Sequence, residues 1–255
     1  MSYAGEHIWI IGASSGIGKS LALELGKQGA SLTLSARREP QLKKVATEIQ
    51  QLNPNSAVHI EPLDIVSEEK VFKAAHNITK KAGTIDRIIF MAAIYTEPGL
   101  VKDIDIETAK NIFDVNFIGA LTVSKCALSL FENQESGQLA LCSSVAGYIG
   151  LPRGQIYSAS KAALINLTES LASEAPDHVD IKLINPGFVE TPMTNQNDFD
   201  MPMIITAQQA ALAIARGLKS SGFEIHFPKK FTLFMKLLKS LPYALALRMT
   251  RRMTP

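Results

Sequence analysis

Seven short apolar runs recur along the chain, and that recurrence narrows the fold more than any other feature. "HIWIIG" begins at His7, and "SLTLSA", "AVHIEPLD", "DRIIFMAA", "QLALCSS", "VDIKLINPG" and "FEIHFP" follow in turn. Runs this short and this continuously apolar read as strands buried on both faces. Between them lie helix punctuation marks: Gly29 where a first helix should stop, Pro40 in a first turn, Ser67 ahead of Glu68 and Glu69, and a capping box from Thr206 to Gln209. Strands alternating with helices through right-handed crossovers build a parallel sheet covered on both sides. With 255 residues, 46% of them hydrophobic, the chain can bury a sizeable core without cross-links. The expectation is a single α/β, doubly wound parallel sheet of about seven strands flanked by helices over residues 1–228, with an amphipathic helical extension over 229–255.

Ligands of such sheets bind beyond the carboxyl ends of the strands, so the residues that follow strands matter most. The first strand runs into "IGASSGIGKS", where Gly12, Gly16 and Gly18 are spaced G-x-x-x-G-x-G and enclose Ser14, Ser15 and Ile17. A glycine at the strand end permits a tight turn and the next lets backbone approach a pyrophosphate. The third lets the helix pack on the sheet, and the helix N-terminus attracts the anion. Directly after an N-terminal strand, this reads as a Rossmann-type dinucleotide site rather than an ordinary strand-to-helix turn. The second strand ends "LTLSARR". An NAD site places an acid there for the ribose 2′-hydroxyl, whereas a 2′-phosphate wants arginine. Ala36 stands where the acid would be and Arg37 and Arg38 follow, favouring NADP(H) over NAD(H); the alternative is a solvated arginine pair.

The stretch "CSSVAGYIGLPRGQIYSASK" places Ser144, Tyr157 and Lys161 on one strand end and one helix start. Tyr157 and Lys161, four apart, share a helix face. A cation about 4 Å from a phenol at an effective dielectric near 20 is worth roughly 4 kcal/mol, enough to bring its pKa from about 10 towards neutrality, with desolvation opposing. Tyr157 then becomes an acid for a developing alkoxide, and Ser144 a donor to the same oxygen. Ser143, its neighbour, is the rival serine.

In this order the motifs resemble those of the short-chain dehydrogenase/reductase family, from residue 7 to about 227. The resemblance implies that "GASSGIG" holds the cofactor phosphates and Asp64 in "LDIVS" meets its adenine. It further implies that Asn116 in "DVNFIG" joins Ser144, Tyr157 and Lys161 in catalysis by holding a water through which Lys161 relays protons. The family's spacing of thirteen residues to the tyrosine selects Ser144, leaving Ser143 to pack or support the strand end. Pro186 and Gly187 in "NPGFVETP" would lead to Val189 and Thr191 beside the nicotinamide carboxamide. The chain departs from the family's Asn-Asn-Ala-Gly after the fourth strand, where it has Phe90, Met91, Ala92 and Ala93. Ala92 would border the cofactor, and Ala93 adds a methyl where the family has glycine.

After Thr191, "PMTNQNDFDMPMIIT" occupies the place of the family's mobile substrate lid, and Met193, Phe199, Met201, Met203 and Ile204 suggest an apolar lining. The alternative is that they bury the lid against the core. From residue 225 onward there are seven Lys or Arg and no acid, against a net charge of +2 for the whole chain, so the body is acidic and the tail basic. At 100° per residue Phe231, Phe234, Met235, Leu238 and Leu241 share a side opposite Lys229, Lys236 and Lys239, and Pro242 breaks the helix. The composition fits a helix lying in a membrane interface; a helix over a neighbouring subunit or over the chain's own active-site mouth competes. Nucleic acid is not expected as a partner, because the basic stretch has few aromatics and no basic body behind it. The resemblance implies a homo-oligomer, dimer or tetramer.

Cys126 and Cys142 lie in apolar segments without metal-ligand spacing and read as buried thiols, and no metal site is expected. No secretory signal and no run of roughly 18 apolar residues is read from the sequence, so a cytoplasmic protein, with membrane association through the tail, is expected. The leading function is an NADP(H)-dependent oxidoreductase interconverting an apolar or lipid-like carbonyl and its alcohol. A non-catalytic NADP-binding sensor or scaffold, held to a membrane or partner by the tail, is the alternative suggested by "FMAA". An epimerase or dehydratase would need a longer substrate domain.

Overall fold

The computed structural model describes residues 2–96, 99–196 and 200–251. Its strands are β1 (His7–Ile11), β2 (Ser31–Ser35), β3 (Val58–Ile60), β4 (Arg87–Phe90), β5 (Gly137–Cys142), β6 (Val179–Pro186), β7 (Val189–Glu190), β8 (Ile205–Thr206) and β9 (Glu224–Phe227). Seven of them form one parallel sheet in the order β3-β2-β1-β4-β5-β6-β9, while β7 and β8 pair separately. Every run read as a strand contributes to the large sheet. The third stops earlier than expected: Glu61 and Leu63 still donate backbone bonds to Leu34 and Ala36, but Pro62 between them has no N–H to offer and the ladder ends.

The helices are α1 (Gly16–Lys27), α2 (Glu39–Leu52), α3 (Glu68–Ala82), α4 (Ile106–Phe113), α5 (Gly119–Gln134), α6 (Gln155–Glu174), α7 (Ala207–Leu218), α8 (Lys229–Ser240) and α9 (Tyr243–Arg251). Alternation along β1 serves both faces of the sheet. Ile8 and Ile10 join one core with Leu21 and Leu25 of α1 and Ile214 of α7, whereas Trp9 and Ile11 join the other with Val123 and Phe131 of α5. The punctuation works locally. Gly29 follows α1 with φ +92°, Pro40 lies in the first turn of α2, the Ser67 hydroxyl accepts from Lys70 N, and Thr206 and Gln209 form a reciprocal capping box.

Two expectations are corrected. The segment Ile106–Gln134 runs helically through a π-helical turn at Asp114–Ile118 and is, by length and composition, apolar enough to cross a bilayer, although no such segment was expected. More than half of its apolar window is buried inside the fold, so core packing accounts for its composition. In the tail, Phe231, Met235 and Leu238 do not face lipid: they pack inward on Val145, Ile165 and Leu183. Lys236, placed opposite them by helix periodicity, instead bonds Glu224 of β9. Pro242 separates α8 from α9.

Candidate active site

The sheet order reverses between β1 and β4, and the segments following these strands open a crevice at their carboxyl ends. Gly12 ends β1 with φ +96°; a Cβ there would stand 2.6 Å from Ala92 N and 2.8 Å from Ala92 Cα. A Cβ on Gly18 would meet the Gly12 carbonyl oxygen at 2.2 Å. Turn, helix and post-β4 segment therefore nest backbone against backbone, which only glycine permits. Ser15 at the N-cap of α1 makes no side-chain cap and the first turn carries no acid, leaving the helix N-terminus suited to a phosphate.

This turn floors a cavity of about 300 Å³. Gly12, Ser14, Ser15, Gly16, Ile17 and Gly18 line it at one end, and Arg37 and Arg38, both exposed, line it after β2. Asp64 and Ala92 also line it, with Pro186, Gly187, Val189 and Thr191 from the end of β6 onward. Met91, the departure from the family pattern, is partly buried against the core, and it lines the same cavity with Ala93. Ser144, Tyr157 and Lys161 line it as well.

Ser144 caps the short helical turn Val145–Gly147, its hydroxyl accepting from Ala146 N at 3.1 Å. Tyr157 and Lys161 project from the first turns of α6, with the Lys161 ammonium 5.6 Å from the Tyr157 ring centroid. Lys161 is buried and its Nζ donates to the Cys142 carbonyl at 2.9 Å. Ser143 sits where a support should, its hydroxyl donating to the Lys161 carbonyl at 2.7 Å. Asn116 stands behind the cavity wall, inside the π-helical turn. Its Oδ1 accepts from Ile94 N at 2.8 Å and its Nδ2 donates to Ile94 O at 3.0 Å and Ser160 Oγ at 3.1 Å. Asn116 thus ties the segment after β4 to α6.

The electrostatics differ from the sequence expectation. Burial pushes the Tyr157 phenol well above its ordinary value, the Cys142 thiol and Tyr95 phenol add to the rise, and only the hydrogen bond with Ser144 opposes it. Burial acts on the neighbouring ammonium too and holds Lys161 below the usual lysine range. Cys142, like Cys126, is a free buried thiol pushed up to about 11 by burial.

A second cavity of about 490 Å³ meets the first at Ser144 and Tyr157. Its walls are largely apolar: Val145, Leu151, Phe188, Phe231, Phe234 and Met235. The lid residues contribute less than expected. Met193 borders the cavity, Met203 and Ile204 stand exposed, and Phe199 lies outside the described residues. The lining comes instead from α8, held by a polar cluster absent from the sequence reading. Burial pushes the Glu224 carboxyl up, but hydrogen bonds from Lys236, Tyr148 and Asn185 overrule it and hold the group below its ordinary range. Tyr95 was also missed; its ring meets Tyr157 edge-on with centroids 5.1 Å apart. Only its place just beyond "FMAA" could have pointed to it.

Residues 6–201 match the family profile for short chain dehydrogenases. The chain belongs to that family. Among curated short-chain dehydrogenases, it is 35% identical over 191 residues to 11-beta-hydroxysteroid dehydrogenase A of Arachis hypogaea, covering 75% of this chain and 54% of the relative. The chain therefore spans about half the length of that relative. It is 30% identical over 247 residues to an uncharacterized oxidoreductase of Myxococcus xanthus, with 96% of each chain covered. Solved structures share the fold, and two of them illustrate it. One is a short-chain dehydrogenase/reductase of Burkholderia phymatum in complex with NAD, with a TM-score of 0.84, 20% identity, and 93% of this chain and 94% of that one covered. The other is an alcohol dehydrogenase of Thermococcus sibiricus complexed with 5-hydroxy-NADP, with a TM-score of 0.78, 23% identity, and 87% and 95% coverage. Short-chain dehydrogenases are oxidoreductases that bind NAD(H) or NADP(H), and the glycine cradle and uncapped helix of this chain fit such a dinucleotide.

Proposed function

We propose that this chain is an NADP(H)-dependent carbonyl reductase, or in reverse an alcohol dehydrogenase, for an apolar or lipid-like substrate. One observation carries the reading: Ser144 and Tyr157 stand where a phosphate-suited cavity meets a largely apolar one. Arg37 and Arg38 at the end of the first cavity suit the 2′-phosphate that distinguishes NADP(H).

The glycine turn with Arg37 and Arg38 would hold NADPH along the first cavity, where it would supply a hydride for the carbonyl carbon. Ser144 donates to the carbonyl oxygen and fixes its position. Tyr157, kept neutral by its burial, holds a proton at Oη and passes it to the oxygen as negative charge develops there. Lys161, made a stronger acid by burial, restores the proton to the phenolate and takes up another from solvent, which is the proton the reduction consumes. Asn116 keeps Ile94 and Ser160 in register around α6. The products are the alcohol and NADP⁺.

Titration with NADPH and NADH, followed through Trp9, tests the cofactor half, since Trp9 lies three residues before Gly12 on β1. We expect NADPH to bind more tightly, and Arg37→Ala to weaken NADPH by about 10- to 100-fold, roughly the loss of one or two charge-assisted hydrogen bonds, while NADH is unaffected. Equal affinities that Arg37→Ala leaves unchanged would rule out the phosphate assignment.

A further inference from the structure

We propose that the outer face of α8 and α9 docks on an anionic lipid bilayer, seating the mouth of the second cavity at the lipid surface. The cavity's role as a substrate site rests on the reading above; the docking does not.

The inner stripe of α8 is already used for packing, through Phe231, Met235 and Leu238. The outer face is nevertheless apolar. Leu233, Leu237, Tyr243, Leu245, Leu247 and Met249 are exposed, Leu237 by 62% and Tyr243 by 82%. Lys229, Lys230, Lys239 and Arg248 are exposed on the same two helices, and residues 225–251 contain no acid. Lys236 is not part of this set, being bound to Glu224.

An apolar strip set among cations, with no anion of its own, is complementary to a surface with negative headgroups above hydrocarbon. A second copy docked face to face would bring the same cations together, which argues against self-association here. The strip is also continuous with the cavity. Phe234, which is 40% exposed, lines the second cavity from α8 and stands three residues before exposed Leu237, a spacing that puts the two on one helix face. A substrate dissolved in the bilayer would meet the cavity without crossing water.

The test uses the purified full chain and vesicles of phosphatidylcholine alone or mixed equally with phosphatidylglycerol. Sedimentation with the anionic vesicles at low salt, release in molar salt and little binding to neutral vesicles are expected. The double variant Leu237→Glu, Tyr243→Glu should lose at least tenfold in apparent vesicle affinity while melting like the wild type, because both side chains lie outside the core. Failure of the wild type to sediment, or equal sedimentation of the double variant, overturns docking. A wild-type dimer by light scattering that the double variant breaks would assign the face to a second copy and also overturn it. For the seating, an environment-sensitive dye on Phe234→Cys, whose competing thiols Cys126 and Cys142 are buried, should shift to the blue with anionic vesicles. An unshifted spectrum from sedimenting protein places the cavity mouth away from lipid and overturns the seating. None of these readouts needs cofactor or turnover, so their failure is distinct from failure of the reductase reading.

Discussion

Tyr157 illustrates how burial, more than a neighbouring charge, sets the state of a single side chain. The helix spacing to Lys161 was legible in the sequence, but the direction of the phenol's titration was not. That direction depends on how deeply the phenol lies and on the Cys142 and Tyr95 side chains brought beside it. Tyr157→Phe should cut turnover of an apolar ketone by about 10²- to 10⁴-fold, the usual contribution of a general acid, while NADPH affinity stays within twofold. Retained turnover would remove Tyr157 from the chemistry. Gly12 is the other decisive residue. Gly12→Ala meets both a positive φ and the Ala92 backbone, so a loss of about 1–3 kcal/mol in urea denaturation is expected, together with loss of cofactor binding in the Trp9 titration.

At the scale of elements, α8 follows the competing half of its sequence reading, a helix over the chain's own site, in its inner stripe. Periodicity identified its apolar stripe correctly, yet amphipathicity cannot say whether a stripe meets lipid, a partner or the chain's own core. Here it meets the core, and the Glu224 cluster draws Lys236 in with it. Because Met235 is buried and also lines the second cavity, Met235→Ala should cost about 2–5 kcal/mol in chemical denaturation and raise KM for a bulky ketone more than it lowers kcat. An unchanged denaturation midpoint would mean that α8 folds apart from the body. The segment Ile106–Gln134 shows the same ambiguity from the other side: its apolar composition serves a packed core helix broken by a π-helical turn at Asp114–Ile118, next to the site.

For the molecule as a whole, stability and function occupy opposite ends of the sheet. At the amino ends of the strands, Arg87 bonds Glu6, Gln138 and the Leu218 carbonyl, and the His7 ring bonds Thr84 O and Thr33 Oγ1, both at 2.9 Å. Burial holds His7 below its ordinary pKa, and burial with the nearby Lys236 and Lys229 does the same to His226. Both rings are therefore harder to protonate folded than unfolded. Their stabilisation is present above the unfolded value of about 6.5 and is lost as pH falls through the lower folded values. The urea midpoint should drop between pH 7.5 and pH 5.5, and His7→Asn should flatten that slope. A midpoint constant over this window would contradict the burial argument.

What the sequence determined by itself was local. Strand runs, the glycine turn, helix caps and the Ser144, Tyr157 and Lys161 spacing each depend on residues a few positions apart, where backbone sterics and periodicity act directly. The glycine turn that makes the proposed cradle was legible for the same reason, since Gly12, Gly16 and Gly18 follow one strand within seven residues. Tertiary structure alone decided that Tyr95 lies against Tyr157, that α8 supplies the wall expected from the lid, that Lys236 reaches Glu224, and that Tyr157 is raised rather than lowered. Each of those outcomes depends on which surfaces meet across long stretches of chain and on how much water their meeting excludes, and neither quantity is written in any local pattern.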